Sequence, residues 1–262
     1  MHGLLLSRAE MLVLLDAVRA QTIVGLDEPL IPESEAEHRV LVEQGHASLQ
    51  ARGLAQINPN GGVALDAVLV TVASIITKPE TAIIVVRHDP ERGDQGFWFY
   101  RAGALIVEHT LPDAQTHRIA TIPDGAHLLA RISQILPLVN ASPPAAATLA
   151  EATFGQAKTL AENRQTQSAM ALLASAFAAE AATALVQAIQ QPVFSGSLAI
   201  LRTADGQIVD ARSLAVLQSA MTAWLISQAT PGETSLRIET ADQETLRQQI
   251  ERWLNQLAPI AA

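Results

Sequence analysis

The residues able to do chemistry in this chain are few, and their spacing argues against most catalysis. Seven histidines occur, and two pairs of them invite a test. His38 and His46 stand eight residues apart on a predicted helix, among Glu35, Glu37 and Glu43. A helical zinc site needs two histidines at i and i+4 with a glutamate between them, as in H-E-x-x-H, and that pattern is missing. His109 and His117 flank a turn at Pro112 on adjacent predicted strands, with Glu108 beside them. Brought together, they would form an acid–base or metal-ligating pair. The spacing alone supports neither role, so no metal and no cofactor are expected.

Nucleophiles offer little more. Ser195-Gly196-Ser197 resembles a nucleophile elbow in composition but not in order. A phosphate-binding G-x-x-x-x-G-K-[ST] loop is absent, and only two lysines exist, Lys78 and Lys158. No G-x-G-x-x-G follows a predicted strand. Asp89, Glu91 and Asp94 crowd one polar connection, where solvation is explanation enough. The lack of cysteine removes thiol chemistry and disulfides, and it fits a reducing cytoplasm. The expectation is a protein that is not an enzyme; an enzyme with an unrecognised site is the alternative.

What distinguishes the chain is Phe97-Trp98-Phe99-Tyr100, four of its nine aromatic residues side by side. On a strand, Phe97 and Phe99 face one way, Trp98 and Tyr100 the other. Such a strand is either covered on both faces or offers one to a partner. Phe97, Trp98, Phe99 and Tyr100 are therefore the candidate partner-binding residues, through whichever pair is not core.

These residues sit within a regular succession of elements. Ser7-Arg8-Ala9-Glu10 and Ser34-Glu35-Ala36-Glu37 have the capping-box form and open helices over 7–20 and 34–52. In the second helix Leu41, Gly45 and Leu49 recur every four residues, and Gly53 suits a left-handed cap. Asn58-Pro59-Asn60-Gly61-Gly62 is a turn cluster. A helix over 64–77 follows, with Leu65, Val68, Leu69, Val72, Ile75 and Ile76 on one side. Strands occupy about 82–122, and a helix over 123–136 closes the first half. Ser142-Pro143-Pro144 marks a linker. Alanine- and glutamine-rich residues 148–190 read as helical, strands as about 197–240, and a last helix as 242–257. The segment Arg212 to Met221 fits helix or strand.

The second half echoes the first. With a shift of 119, Ala104, Pro112, Arg118, Ile119 and Thr121 fall on Ala223, Pro231, Arg237, Ile238 and Thr240. The predicted fold class is α+β: two pseudo-repeated halves, 1–140 and 141–262, each with helices, an antiparallel meander and a closing helix. One compact pseudo-twofold unit is expected.

Charge narrows the partner. With 17 basic and 26 acidic residues the net charge is −9, which disfavours a nucleic-acid backbone. A winged-helix DNA-binding regulator remains an alternative over Ser34 to Ile76, although Arg39 and Arg52 stand there among three glutamates. Arg8, Glu10 and Asp16 interrupt the apolar N-terminus, so no signal peptide is expected. Glu180 sits mid-way through the apolar segment Ala169 to Ile189, which reads as a packing helix without membrane insertion.

Residues Glu43-Gln44-Gly45-His46-Ala47-Ser48-Leu49-Gln50-Ala51-Arg52-Gly53-Leu54, then a turn, a helix opening near Leu65-Asp66, and Pro79 before the first long strand, resemble the EspG family. Its members are the secretion-associated chaperones of ESX (type VII) systems. The resemblance implies an α+β fold of two quasi-repeated halves in a cytosolic chaperone or adaptor. It implies a protein partner, the hydrophobic tip of a helical-hairpin secretion substrate, masked without catalysis or cofactor. The resemblance fixes no contact residues.

Overall fold

The computed structural model describes residues 3–26, 30–32, 34–57, 63–204, 206–230 and 232–256. The turn cluster at 58–62, Asp205, Pro231 and Leu257 lie outside them. The first run of elements is β1 (Leu4–Ser7), α1 (Arg8–Ala17), α2 (Glu35–Ala51), β2 (Ala55–Ile57), β3 (Val63–Leu65) and α3 (Ala67–Thr77). It continues with β4 (Thr81–Asp89), β5 (Gly93–Ala102), β6 (Leu105–Asp113), β7 (Thr116–Ile122) and α4 (Gly125–Ile135). The second run is β8 (Ala146–Ala150), α5 (Glu151–Glu162), α6 (Thr166–Leu173), α7 (Ala179–Gln190), β9 (Phe194–Ala204), β10 (Gln207–Gln218), β11 (Ala223–Gln228), β12 (Ser235–Thr240) and α8 (Gln243–Gln256).

Apart from the β2–β3 hairpin, both runs read strand, three helices, four-strand meander, helix. In each, the leading strand returns to pair antiparallel with the last strand of the meander, giving the orders β1-β7-β6-β5-β4 and β9-β10-β11-β12-β8. Leu4 stands opposite Ile119 and Ala147 opposite Ile238. Both isoleucines are buried, and Arg118 and Arg237 precede them on the other face. The fold is α+β.

The chain divides into two compact units. One comprises residues 1–84, 97–128 and 201–210, the other 85–96, 129–200 and 211–262. In the first, α1 and α3 lay Met11, Leu14, Leu15, Leu69, Ala73 and Ile76 against Leu6, Ala82, Tyr100, Val107 and Ile119 of the strands. In the second, Phe154, Ala157, Leu173, Leu185 and Val186 cover Leu149, Trp224 and Ile238. Among the described residues no helix is long and apolar enough to cross a membrane.

Several sequence expectations change here. Residues 148–190 form three helices behind a strand: Arg164 takes a left-handed φ of 60° after α5, and a turn at 174–178 separates α6 from α7. Residues 212–218 are strand, the end of β10. The first helix stops at Ala17, since Arg19 adopts φ 55°. Ser195, Gly196 and Ser197 lie inside β9, away from any strand-to-helix turn.

Candidate functional site

The aromatic strand is held from both sides. Phe99 and Tyr100 are 1% and 0% exposed, while Phe97 and Trp98 are half-buried. Tyr100 Oη donates to the carbonyl of Val24 at 2.9 Å, and Trp98 Nε1 donates to that of Gly25 at 2.7 Å. These two bonds pin the loop after α1 across the sheet. Burial pushes the Tyr100 phenol well above its ordinary pKa. The structure thus places Phe99 and Tyr100 in the core, one on each face, and makes Trp98 a fastener for the loop. Neither face of the strand is an open aromatic surface.

The histidine pair does meet. His109 lies opposite Trp98 in the β5–β6 register, with ring centres 5.7 Å apart. His109 Nε2 and His117 Nδ1 share a hydrogen bond of 2.9 Å, and the rings stack at 5.2 Å. Both are essentially inaccessible. Burial, and then the charge of His117, lowers His109 to about 3; burial, and then Arg8, lowers His117 to about 4, with Asp113 opposing. At neutral pH the pair is uncharged and sealed from any substrate. Glu108 precedes His109 on the strand and so faces the other side of the sheet. No group of His, Asp and Glu able to hold a metal occurs among the described residues.

The residues of the EspG-like motif have a structural task. Arg52 Nη1 donates to both carboxylate oxygens of Glu10 at 2.8 Å, and Ser48 Oγ donates at 2.8 Å. Glu10 also accepts the Ser7 amide at 2.8 Å, completing the capping box of α1. Burial pushes this carboxyl up, but the hydrogen bonds from Ser7, Arg52 and Ser48 outweigh it, and its pKa is lowered. Gly45 lets α2 lie directly on α1: a Cβ there would come within 2.3 Å of the Ala9 carbonyl oxygen. His38 Nε2 meets Asp16 Oδ2 at 3.1 Å between the same helices. Arg52, the basic residue a recognition helix would turn to phosphate, is spent on Glu10.

An open apolar surface lies elsewhere in this unit. Between α3 and the strands β6 and β7 runs a groove of about 520 Å³, lined by Val68, Thr71, Ile75, Leu105, Ile106 and Ile122 among others. Val68 is 66% exposed and Leu105 51%, so the lips of the groove are bare hydrocarbon. Of the apolar side read for this helix, Leu65 ends β3 instead, since α3 begins at Ala67 behind the Asp66 cap, and Val68 is exposed. The stripe buried by α3 is Leu69, Val72, Ala73, Ile75 and Ile76, and Val68 lies beside it. The signal was present in the sequence: α3 is apolar over a wider arc than one packed face requires.

A family model, that of the EspG family, matches residues 7–252. The chain belongs to the EspG family. Comparison with curated proteins finds no match. Among solved structures, the chain is similar to the Mycobacterium tuberculosis type VII secretion system chaperone EspG5, solved in complex with the PE25–PPE41 dimer. The TM-score is 0.67 at 12% identity, over 99% of this chain and 98% of that one. At that identity the likeness is one of fold. Nearly the whole chain, including both runs of elements, shares it.

Proposed function

We propose that this EspG-family protein is a cytoplasmic, non-enzymatic chaperone of type VII secretion. In this reading it masks the hydrophobic tip of a helical-hairpin partner of the PE–PPE kind until that partner is handed on. The observation that carries the assignment to a surface is the groove beside α3, with Val68 and Leu105 exposed at its lips. Covering bare hydrocarbon on both partners releases water from both, at about 25 cal/mol per Å² of apolar surface. An apolar groove flanked by α3 suits the face of an amphipathic helix. Of the aromatic strand, the half-buried Phe97 and Trp98 remain candidate contacts, with Phe99 and Tyr100 supporting them from the core. The sealed histidine pair accords with a binding role, since a catalytic base must reach its substrate.

Co-expression with a PE–PPE-type dimer from the same genome, followed by co-purification, tests the reading. The expected result is a stable complex with the parent chain and its loss on Val68→Glu or Leu105→Glu, both of which stay folded. Failure of the folded parent chain to retain any such dimer would overturn it.

A further inference from the structure

The second unit carries a polar cleft that the masking role leaves unused. It opens between α8 and the sheet face of β10, β11 and β12, and encloses about 930 Å³. Alternation along β12 explains its lining. Ile238 points to the α5–α7 side and is fully buried, so Arg237 and Glu239 point to the α8 side. Arg212 reaches the same cleft from β10 and Arg252 from α8, with Ser227 and Gln249 between them.

Three arginines from three elements converge in a protein of net charge −9, and Glu239 is the one carboxylate among the described lining residues. Glu239 pairs with Arg237. Its Oε2 accepts from Arg237 Nε at 3.0 Å and Nη2 at 2.6 Å, which fixes the plane of that guanidinium. Among the described residues Arg252 meets only a neutral amide, Gln249 Oε1 at 3.2 Å. Small-molecule pockets are mostly apolar with a few polar groups. Here the proportion is reversed and the cleft is open, which suits an extended chain. Guanidinium forks match carboxylates two bonds at a time, and glutamine amides and serine hydroxyls serve a peptide backbone. The molecule's acidic field opposes any anion approaching from a distance, and a nucleic acid with its unbroken run of charge more than a short acidic segment.

We propose that this cleft binds an acidic peptide segment of a protein partner, with its carboxylates seated on Arg237 and Arg252. The site is independent of the apolar groove, and either can fail without the other.

The test is fluorescence anisotropy of a labelled ten-residue oligoglutamate titrated with the full chain at low salt. Saturable binding is expected, weakening as salt rises. Arg252→Glu and Arg237→Glu should each weaken it about tenfold or more. Arg247→Glu is the charge-matched control: Arg247 lies on α8 outside the cleft, paired with Glu244 and Glu251, and its loss should change binding far less. Val68→Glu should leave binding unchanged. Circular dichroism of each variant checks folding, and should Arg237→Glu unfold, Arg252→Glu decides alone. Absence of saturable binding, equal weakening by Arg247→Glu, or tighter binding of an oligothymidylate of the same length would each overturn the proposal.

Discussion

The three helices of the first half and the three of the second occupy the same places in their runs, yet they are fixed by opposite means. In the first, a capped helix start and a buried carboxylate do the fixing: Ser7 caps α1, and Glu10 ties α1 to α2 through Ser48 and Arg52. In the second, α5, α6 and α7 begin at Ala150, Gln165 and Ala178 without a side-chain cap. Their contact is made by small side chains, Ala157, Ala161, Ala169, Ala182 and Ala188, all buried. A polar latch specifies one geometry and fails when a single member is lost. A bed of alanines permits close approach and is less dependent on any one residue. All seven histidines also fall before residue 141.

The contrast has measurable consequences. The largest effect should come from acid. His109 and His117 are neutral in the fold, with pKa values of about 3 and 4, against about 6.5 when unfolded. The unfolded chain therefore binds more protons between those values, and stability falls as pH drops below about 6.5. The slope is roughly 1.4 kcal/mol per pH unit for each histidine that stays neutral. Glu10 adds to the fall at lower pH, since its lowered pKa contributes stability above about 4.5 that is lost on protonation. Urea melts at pH 7 and pH 5 measure the slope, and His117→Gln should flatten it. A slope unchanged by that substitution would place the proton uptake elsewhere.

Next in size, Gly45→Ala forces α2 away from the Ala9 carbonyl and should cost about 3 kcal/mol. Thermal unfolding reads it directly, and wild-type stability would contradict the close approach. Arg52→Ala leaves Glu10 with the Ser7 amide and Ser48 only, a loss of about 2 kcal/mol after allowance for the partial exposure of Arg52. Arg52→Lys should recover only part of it, because an ammonium is a more strongly hydrated point charge than a guanidinium and costs more to hold against the buried carboxylate. The smallest effects test the caps as a mirror pair. Ser7→Ala should destabilise by about 1 kcal/mol, while Ala150→Ser should stabilise by a few tenths to 1 kcal/mol by supplying the cap α5 lacks. Equal shifts of the same sign would remove the distinction between the halves.

Much of this architecture was legible in the residues. The spacing of Leu41, Gly45 and Leu49 gave α2 its contact face. The β-branched run after Pro79 marked the first long strand, and the aligned pairs Arg118/Arg237 and Ile119/Ile238 fall on matching strands. What escaped was nonlocal. Leu4-Leu5-Leu6 and Ala146 to Ala150 are strands only because β7 and β12 offer them a free edge; alanine has no strand preference of its own. The breaks within 148–190 hang on single residues such as Arg164, which propensity summed over a window does not see. The candidate site was the least legible part. Four adjacent aromatics attract attention by bulk, but bulk on both faces is what a doubly covered strand needs. The open groove is marked only by Val68 and Leu105, two ordinary aliphatics whose exposure depends on how α3 lies over β6.

The central claim is that this groove receives the partner. Isothermal titration of the purified chain with a PE–PPE-type dimer tests it most directly, comparing the parent with Val68→Glu. A carboxylate on the lip of a desolvated groove should weaken binding about a hundredfold while the melting temperature stays unchanged. Parent affinity in a folded Val68→Glu protein would contradict the account.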